Sequence, residues 1–162
     1  MPPERVRYTA RLRLEPIGPG HALDLWRLFQ DPAVAAWYGQ WTLEMAQREA
    51  ARIGAAWQAE GVHKWLAYQR QTGALVGRGG LSRTRIEGQE RLEIGRAGLV
   101  VAFDELNAAE VVSYTEARNT RSRAVMERLG FHCTHDITLD DGGEPFAFYV
   151  LGRPPGPTST LS

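Results

Sequence analysis

The chain is poor in cysteine and lysine, and its 162 residues carry no excess of charge of either sign. Cys133 is the only cysteine, so no intrachain disulfide can form, and a reducing, cytoplasmic setting is the simplest interpretation. Nineteen Lys and Arg residues balance nineteen Asp and Glu residues, and Lys64 is the only lysine among them. Nucleic-acid and anionic-membrane surfaces require an excess of basic residues, so the composition argues against both kinds of partner.

Long apolar runs are also missing. No stretch of about 18 apolar residues occurs, and the residues after Met1 are not of signal-peptide type, which predicts neither a membrane span nor secretion. Apolar side chains make up 43% of the chain, and a domain of this size can bury roughly two thirds of its unfolded surface. We therefore expect an N-terminal extension at 1–8, one domain at 9–151 and a disordered Pro/Ser/Thr-rich tail at 152–162.

The first half of the chain predicts one strand, two helices and a meander. Residues 9–17 alternate between apolar and polar side chains, as a half-buried strand does. A helical pattern follows and is expected to stop at Asp31-Pro32. A second helix is expected to begin at Thr42, whose hydroxyl can cap it, and to run to Gly61. Three strands of the meander are predicted at 65–70, 74–85 and 90–95.

The second half predicts a crossover between parallel strands and a closing hairpin. An apolar helical stripe at 96–106 precedes a strand at 109–116, which is the order of a crossover connection. Asn119 is placed to cap a further helix that Gly130 ends. A turn at 140–143 joins the last two strands, predicted at 132–139 and 145–151. The expected class is α/β, an α+β mixed sheet of order β-α-α-β-β-β-α-β-α-β-β.

Four segments of the chain carry a family resemblance. They are Thr9-Ala-Arg-Leu-Arg-Leu-Glu-Pro, Asp31-Pro-Ala-Val, Gly73-Ala-Leu-Val-Gly-Arg-Gly-Gly-Leu and Asn119-Thr-Arg-Ser-Arg-Ala-Val-Met-Glu-Arg-Leu-Gly-Phe. Together they resemble the GNAT superfamily of N-acetyltransferases, nearest the branch that acetylates ribosomal-protein amino termini (RimJ/RimL-type). The last segment is the most specific, and the resemblance covers roughly residues 8–151.

The resemblance implies a GNAT-like fold with two splayed parallel central strands, here 90–95 and 109–116. The pantetheine arm of acetyl-CoA, the co-substrate, would lie in the gap between them. It also implies direct attack of an amine on the thioester in a ternary complex. That reaction needs a base for the ammonium proton, donors to the developing oxyanion and an acid for the departing thiolate.

The resemblance also implies roles for individual residues. Glu93 is the candidate base or water-holding residue, and Ser122 is the candidate catalytic residue near the sulfur. Thr115, Asn119 and Ser122 are expected to bind the cofactor. Trp37, Tyr38 and Trp41 are expected to line the acceptor pocket, and Asp104, Glu110 and Glu116 are lesser candidates for the base.

The chain departs from the family between the fourth strand and the following helix. Relatives have a loop there whose backbone N–H groups bind the pyrophosphate. Here Leu92-Glu-Ile-Gly95 passes straight into Arg96-Ala-Gly-Leu. We expect about 15 to 25 residues to be missing, either through a true deletion or because a mobile loop is absent from this sequence.

Structural interpretations stand beside the functional ones. Asn119 and Ser122 fall at the N-cap and N3 positions of a helix, where both residue types are common for backbone reasons. Glu93 also fits a solvent-facing position on a half-buried sheet, and core packing explains the aromatic residues equally well. His132, Cys133 and His135 do not predict a metal site, because strand residues three apart point to opposite faces.

Two functions follow from these observations. The first is an N-acetyltransferase that acts on a primary amine, either a peptide amino terminus or a small amine, without a metal. The second is a catalytically impaired GNAT-like binding or dimerisation module. The acceptor cannot be read from the sequence, because loops shape the pocket, and a homodimer stays open.

Overall fold

The computed structural model of the protein describes residues 5–94, 103, 106–138, 143–153 and 155. Its strands are β1 (Arg7–Tyr8), β2 (Leu12–Pro16), β3 (Lys64–Gln69), β4 (Leu75–Ile86), β5 (Gln89–Ile94), β6 (Glu110–Glu116), β7 (His132–Ile137) and β8 (Phe146–Gly152). Its helices are α1 (Ala22–Gln30), α2 (Pro32–Tyr38), α3 (Leu43–Glu60) and α4 (Thr120–Arg128). The expected mixed α/β class is confirmed. None of the described helices is long and apolar enough to cross a membrane.

The chain divides into two compact units, Met1–Ser82 and Arg83–Ser162. In the first unit, the strand order is β1-β2-β3-β4 and every neighbouring pair is antiparallel. The helices α1 and α3 pack against each other because each has an apolar face. The largest fully buried side chains of this unit include Leu25, Phe29, Ile53, Trp57 and Leu66.

The helix pattern of the first unit was predicted correctly except at one point. The Thr42 hydroxyl accepts a hydrogen bond from the Met45 amide at 3.1 Å, and Gly61 ends α3 in a left-handed conformation. Asp31-Pro32, however, does not only stop α1. The Asp31 carboxylate accepts from the Ala33 amide at 2.8 Å, and Pro32 takes the first helical position, so the pair also starts α2.

In the second unit, the end of β4 is followed by the strand order β5-β6-β8-β7. The neighbours β5 and β6 are parallel, whereas β6 with β8 and β7 with β8 are antiparallel. A tight turn at Glu87 and Gly88, both with positive φ, joins β4 to β5. A buried cluster of this unit contains Ile86, Val112, Ile137 and Phe148.

Other sequence predictions for the second unit have mixed outcomes. Asn119 caps α4, and Gly130 follows it with φ of 93°, as expected. Leu129 is 42% exposed, because α4 ends before it and the chain turns at Gly130. Most of the helix predicted at 96–106 and the turn predicted at 140–143 lie outside the described residues.

Candidate active site

The pairing of β5 with β6 is confined to one register position. Within the described residues, Glu93 of β5 lies opposite Val112 of β6, and the strand pairing has no further register position. The other edge of β6 is different, because β8 pairs with it from Glu110 through Glu116. The edge of β6 that faces β5 therefore has backbone groups beyond Val112 with no described strand partner. Such groups are able to bind an extended ligand.

The two strands are held together on the amino-terminal side of this pair. Arg91 of β5 forms an ion pair with Glu110, the first residue of β6, and also donates to the Gln89 side chain at 2.9 Å. The Glu110 carboxylate, one of the lesser base candidates, is therefore engaged in an ion pair. The part of β6 that has no described strand partner on the edge facing β5 lies toward its carboxyl end, where ligands of parallel sheets usually bind.

Glu93 occupies the position where the two strands meet. It is half-buried on β5, and its side chain points to the sheet face opposite that of the buried Ile94. Glu116, another base candidate, forms an ion pair with Arg118 at 2.8 Å. Asp104 lies outside the described residues. Of the base candidates, Glu93 is the one that itself takes part in the described pairing of β5 with β6.

The carboxyl end of β6 leads directly into α4. The Asn119 amide donates to the Glu116 carbonyl at 2.8 Å, which turns the chain sharply after the strand. The side-chain oxygen of Asn119 accepts from the Ser122 amide at 3.1 Å, so these residues are the N-cap and N3 of α4, as expected. Thr115, Asn119 and Ser122 are all half-buried. The structure therefore brings the three expected cofactor-binding residues to one end of β6.

A hydrogen-bond network that the sequence did not predict fixes α4 against β8. Arg123 donates from Nε to the Tyr149 hydroxyl at 3.0 Å and from NH1 to the Ala117 carbonyl at 2.9 Å. The Tyr149 hydroxyl donates to Glu127 at 3.0 Å. Burial, together with the bond to Glu127, raises the pKa of Tyr149 despite the opposing effect of Arg123, so the hydroxyl stays protonated. In the sequence, only Arg123, which directly follows Ser122, could have indicated this network.

The expected acceptor residues lie in the first unit, around Phe29. Trp41 stacks on Phe29 with ring centroids 3.9 Å apart, and Tyr38 meets the same ring edge-on at 5.6 Å. The Trp41 carbonyl accepts from Trp26 at 3.2 Å. Trp37 lies in α2, and its side chain is outside the described part of the structure. Trp41 therefore contributes to packing, whereas Tyr38 is 60% exposed and accessible to a ligand.

His132, Cys133 and His135, which were not expected to bind a metal, all lie on β7. The ring of His135 contacts the Glu87 carboxylate at 3.1 Å, and Cys133 is exposed. A register shift separates Cys133 from His135 along β7. Across the described ranges, no group of three or more His, Cys, Asp or Glu side chains could hold a metal ion.

Comparison with known proteins identifies the class of protein. The acetyltransferase (GNAT) domain family matches residues 11–97 and 91–132, two stretches that overlap at 91–97. The chain therefore belongs to the GNAT acetyltransferase family, whose members are acyltransferases that use acetyl-CoA. The match spans β2 through α4 and includes Glu93, Thr115, Asn119 and Ser122.

Individual proteins show how far the similarity of this chain extends. Protein YkkB of Bacillus subtilis (strain 168), itself uncharacterized, is 26% identical over 144 residues that cover 75% of this chain and 80% of YkkB. The ribosomal-protein-S5-alanine acetyltransferase from Vibrio fischeri superposes with a TM-score of 0.68 at 12% identity, covering 91% of this chain and 96% of its own. Aminoglycoside acetyltransferase AAC(6')-Ib, solved with coenzyme A and kanamycin, superposes with a TM-score of 0.67 at 16% identity, covering 88% and 95%. At these identities the two structures establish the fold.

Proposed function

We propose that the protein transfers the acetyl group of acetyl-CoA to a primary amine, either a peptide amino terminus or a small amine. One observation carries the proposal: β5 and β6 are paired at Glu93 and Val112, and β6 continues beyond that pair without a strand partner on this edge among the described residues. A slender thioester arm needs such an edge, because its amide groups can hydrogen-bond where a neighbouring strand otherwise would. Bound acetyl-CoA would supply an activated carbonyl group.

The residues present fit the thioester end of this co-substrate. The side-chain oxygen of Asn119 caps α4, which leaves its amide nitrogen to donate to a carbonyl of the pantetheine arm. The Thr115 hydroxyl is half-buried at the end of β6 and offers a second polar group. The Arg123 network keeps the start of α4 in place, so these groups are positioned before a ligand binds.

Glu93 and Ser122 divide the proton chemistry in this proposal. The Glu93 carboxylate takes the ammonium proton, directly or through a water, so that the neutral amine attacks the carbonyl carbon. A carbon–nitrogen bond forms and the carbon–sulfur bond breaks. The Ser122 hydroxyl donates a hydrogen bond to the departing thiolate, which takes up the remaining amine proton and leaves as the free thiol of coenzyme A. Tyr38 and Trp41 are proposed to contact the acceptor, since Tyr38 is exposed beside the stacked pair of Phe29 and Trp41.

The proposal is tested by thiol release from acetyl-CoA with a panel of amines. We expect Ser122→Ala to lower kcat by about tenfold or more while leaving the fold intact, because the hydroxyl acts on the leaving group. Thr120→Ala is the matched control, since Thr120 is an exposed residue in the same helical turn. Equal turnover in both variants would remove Ser122 from the site.

Two substitutions of Asn119 distinguish its role as the cap of α4 from its proposed contact with acetyl-CoA. Asn119→Ala loses the cap and should cost about 1 kcal/mol in the free energy of unfolding. Asn119→Asp keeps an oxygen for the Ser122 amide but removes the donor, so it should recover stability without recovering kcat/KM. Recovery of both quantities by Asp would mean that Asn119 acts only as a cap.

A second candidate function rests on the short link between β5 and β6. Only positions 95–109 separate the two strands, and the family matches overlap at 91–97, where relatives were expected to carry the phosphate loop. A chain that cannot bind coenzyme A would act as a binding or dimerisation module. Coenzyme A at 100 times its Kd should stabilise a true acetyltransferase by about 2.7 kcal/mol. No thermal shift at millimolar coenzyme A would favour the module.

A further inference from the structure

Arg78 is a half-buried cation with no anionic partner among the described residues. It lies on β4, opposite Leu66 of β3. Its NH1 nitrogen is buried and makes no hydrogen bond. A buried donor without a partner is unfavourable, and more so when it is charged. Because the residue as a whole is only half-buried, an anion can approach the guanidinium from its exposed side and offset its charge.

Two aromatic rings hold the guanidinium of Arg78 in place. Its central carbon lies 4.9 Å from the centroid of Phe29 and 5.5 Å from that of Tyr38. Phe29 is buried and Tyr38 is exposed, so the guanidinium lies between the core and the surface of the first unit. Such contacts stabilise and orient a guanidinium, but they satisfy none of its N–H groups.

The carboxylate that interacts with the charge of Arg78 is engaged by another arginine. It belongs to Glu49, which accepts hydrogen bonds from Arg52 at 2.8 and 2.7 Å. Those bonds to Arg52, and more weakly the charges of Arg78 and Lys64, lower the pKa of Glu49. The Glu49 carboxylate that interacts with Arg78 is thus already hydrogen-bonded to another cation.

A second unpartnered group lies in the same electrostatic environment. His63 is only 5% exposed, and its Nδ1 nitrogen has no hydrogen-bond partner. Burial, followed by the charges of Lys64 and Arg52, lowers the pKa of His63 to about 4, and Arg78 adds to the effect. The ring is therefore neutral at pH 7 and supplies no charge that would repel an anion.

We propose that Arg78, flanked by Phe29 and Tyr38, binds a carboxylate group of the molecule that the protein acetylates. A guanidinium presents parallel N–H groups that match the two oxygens of a carboxylate, and the adjoining rings accommodate its flat shape. This inference rests on the proposed function, because it assigns the carboxylate to the amine acceptor. The substrate class is then an amine that also carries an acidic group.

The test uses two peptides that differ only in charge, alanyl-aspartate amide and alanyl-asparagine amide. Binding is measured by calorimetry without acetyl-CoA, and transfer is measured separately with it. We expect the aspartate peptide to bind at least about tenfold more tightly, and Arg78→Gln to abolish that preference. Arg48→Gln is the matched control, because Arg48 is an exposed arginine of α3 whose loss changes the net charge equally. The control should keep the full preference.

Several results would overturn the assignment. Equal binding of both peptides to the wild-type protein, or an unchanged preference in Arg78→Gln, would remove Arg78 from the site. Inorganic phosphate that binds more tightly than the aspartate peptide would show that the anion is not a carboxylate. If Arg78→Gln does not fold, the Arg78 Nε–H signal of the 15N-labelled wild-type protein must shift on titration with the aspartate peptide. If no amine is acetylated, the proposed function is wrong. The calorimetric comparison of the two peptides still decides whether Arg78 binds a carboxylate.

Discussion

His63 shows how a single buried residue makes stability depend on pH. In the folded chain its pKa is lowered to about 4, mainly because burial disfavours the charged ring, and Lys64 and Arg52 add repulsion. In the unfolded chain the pKa returns to about 6.5. The unfolded state therefore binds the proton more tightly, so His63 favours unfolding as pH falls from about 6.5 to about 4.

The pH effect is measurable by urea unfolding at pH 7 and pH 5. The His63 contribution predicts that the wild-type protein loses about 2 kcal/mol more over this interval than His63→Gln does. His132→Gln is the control, because His132 is an exposed histidine on β7. Equal pH dependence in the wild-type protein and His63→Gln would show that the buried ring is not the responsible group.

In strand β4, the position of Gly80 leaves no room for a side chain. It lies in β4 with φ of +140°, a conformation that other residues rarely adopt. A Cβ atom there would meet the His63 carbonyl oxygen at 2.6 Å, the Trp65 ring at 2.7 Å and the Lys64 Cα at 2.8 Å. Two of these atoms belong to the backbone, at Lys64 in β3 and at His63 just before it. They cannot move without disturbing the pairing of β3 with β4.

Two glycine substitutions in β4 test this close approach. Gly80→Ala should lower the free energy of unfolding by about 2–4 kcal/mol through the clash and the strained φ. Gly77→Ala should change it by less than about 1 kcal/mol, because nothing lies within 4 Å of a Cβ at that position. The comparison uses urea midpoints, and similar midpoints for the two variants would contradict the packing described here.

The helices show which elements the sequence could predict. Thr42 and Gly61 mark both ends of α3 with residues whose chemistry is local, and α4 is marked in the same way by Asn119 and Gly130. The helix α2 was missed because Asp31-Pro32 is both a stop signal for one helix and a start signal for the next. Local sequence does not distinguish these two roles.

At the scale of the whole molecule, the short link from β5 to β6 predicts that the acetyl donor does not need the nucleotide half of coenzyme A. A diphosphate bound by backbone N–H groups would make several charge-assisted hydrogen bonds, each worth about 1.5–3 kcal/mol. If positions 95–109 provide no such cradle, S-acetylpantetheine should be used with a kcat/KM within about tenfold of that of acetyl-CoA.

Steady-state kinetics with the two donors checks this expectation. Asn119→Ala is the internal control, since a contact to the shared pantetheine arm should lower kcat/KM for both donors by the same factor. A preference for acetyl-CoA of a hundredfold or more would mean that the nucleotide half is bound after all. Intact mass of the purified protein would confirm that no additional loop is present.

The sequence by itself determined the order of most elements, the two capped ends of α3 and α4, and the family, because periodicity, capping and turn chemistry act over a few neighbouring residues. Only the tertiary structure decided how far β5 pairs with β6, that Tyr149 connects Arg123 to Glu127, and that the guanidinium of Arg78 lies against Phe29 and Tyr38. These contacts join residues distant in the chain, and their geometry depends on how strands and helices pack, which no local pattern encodes.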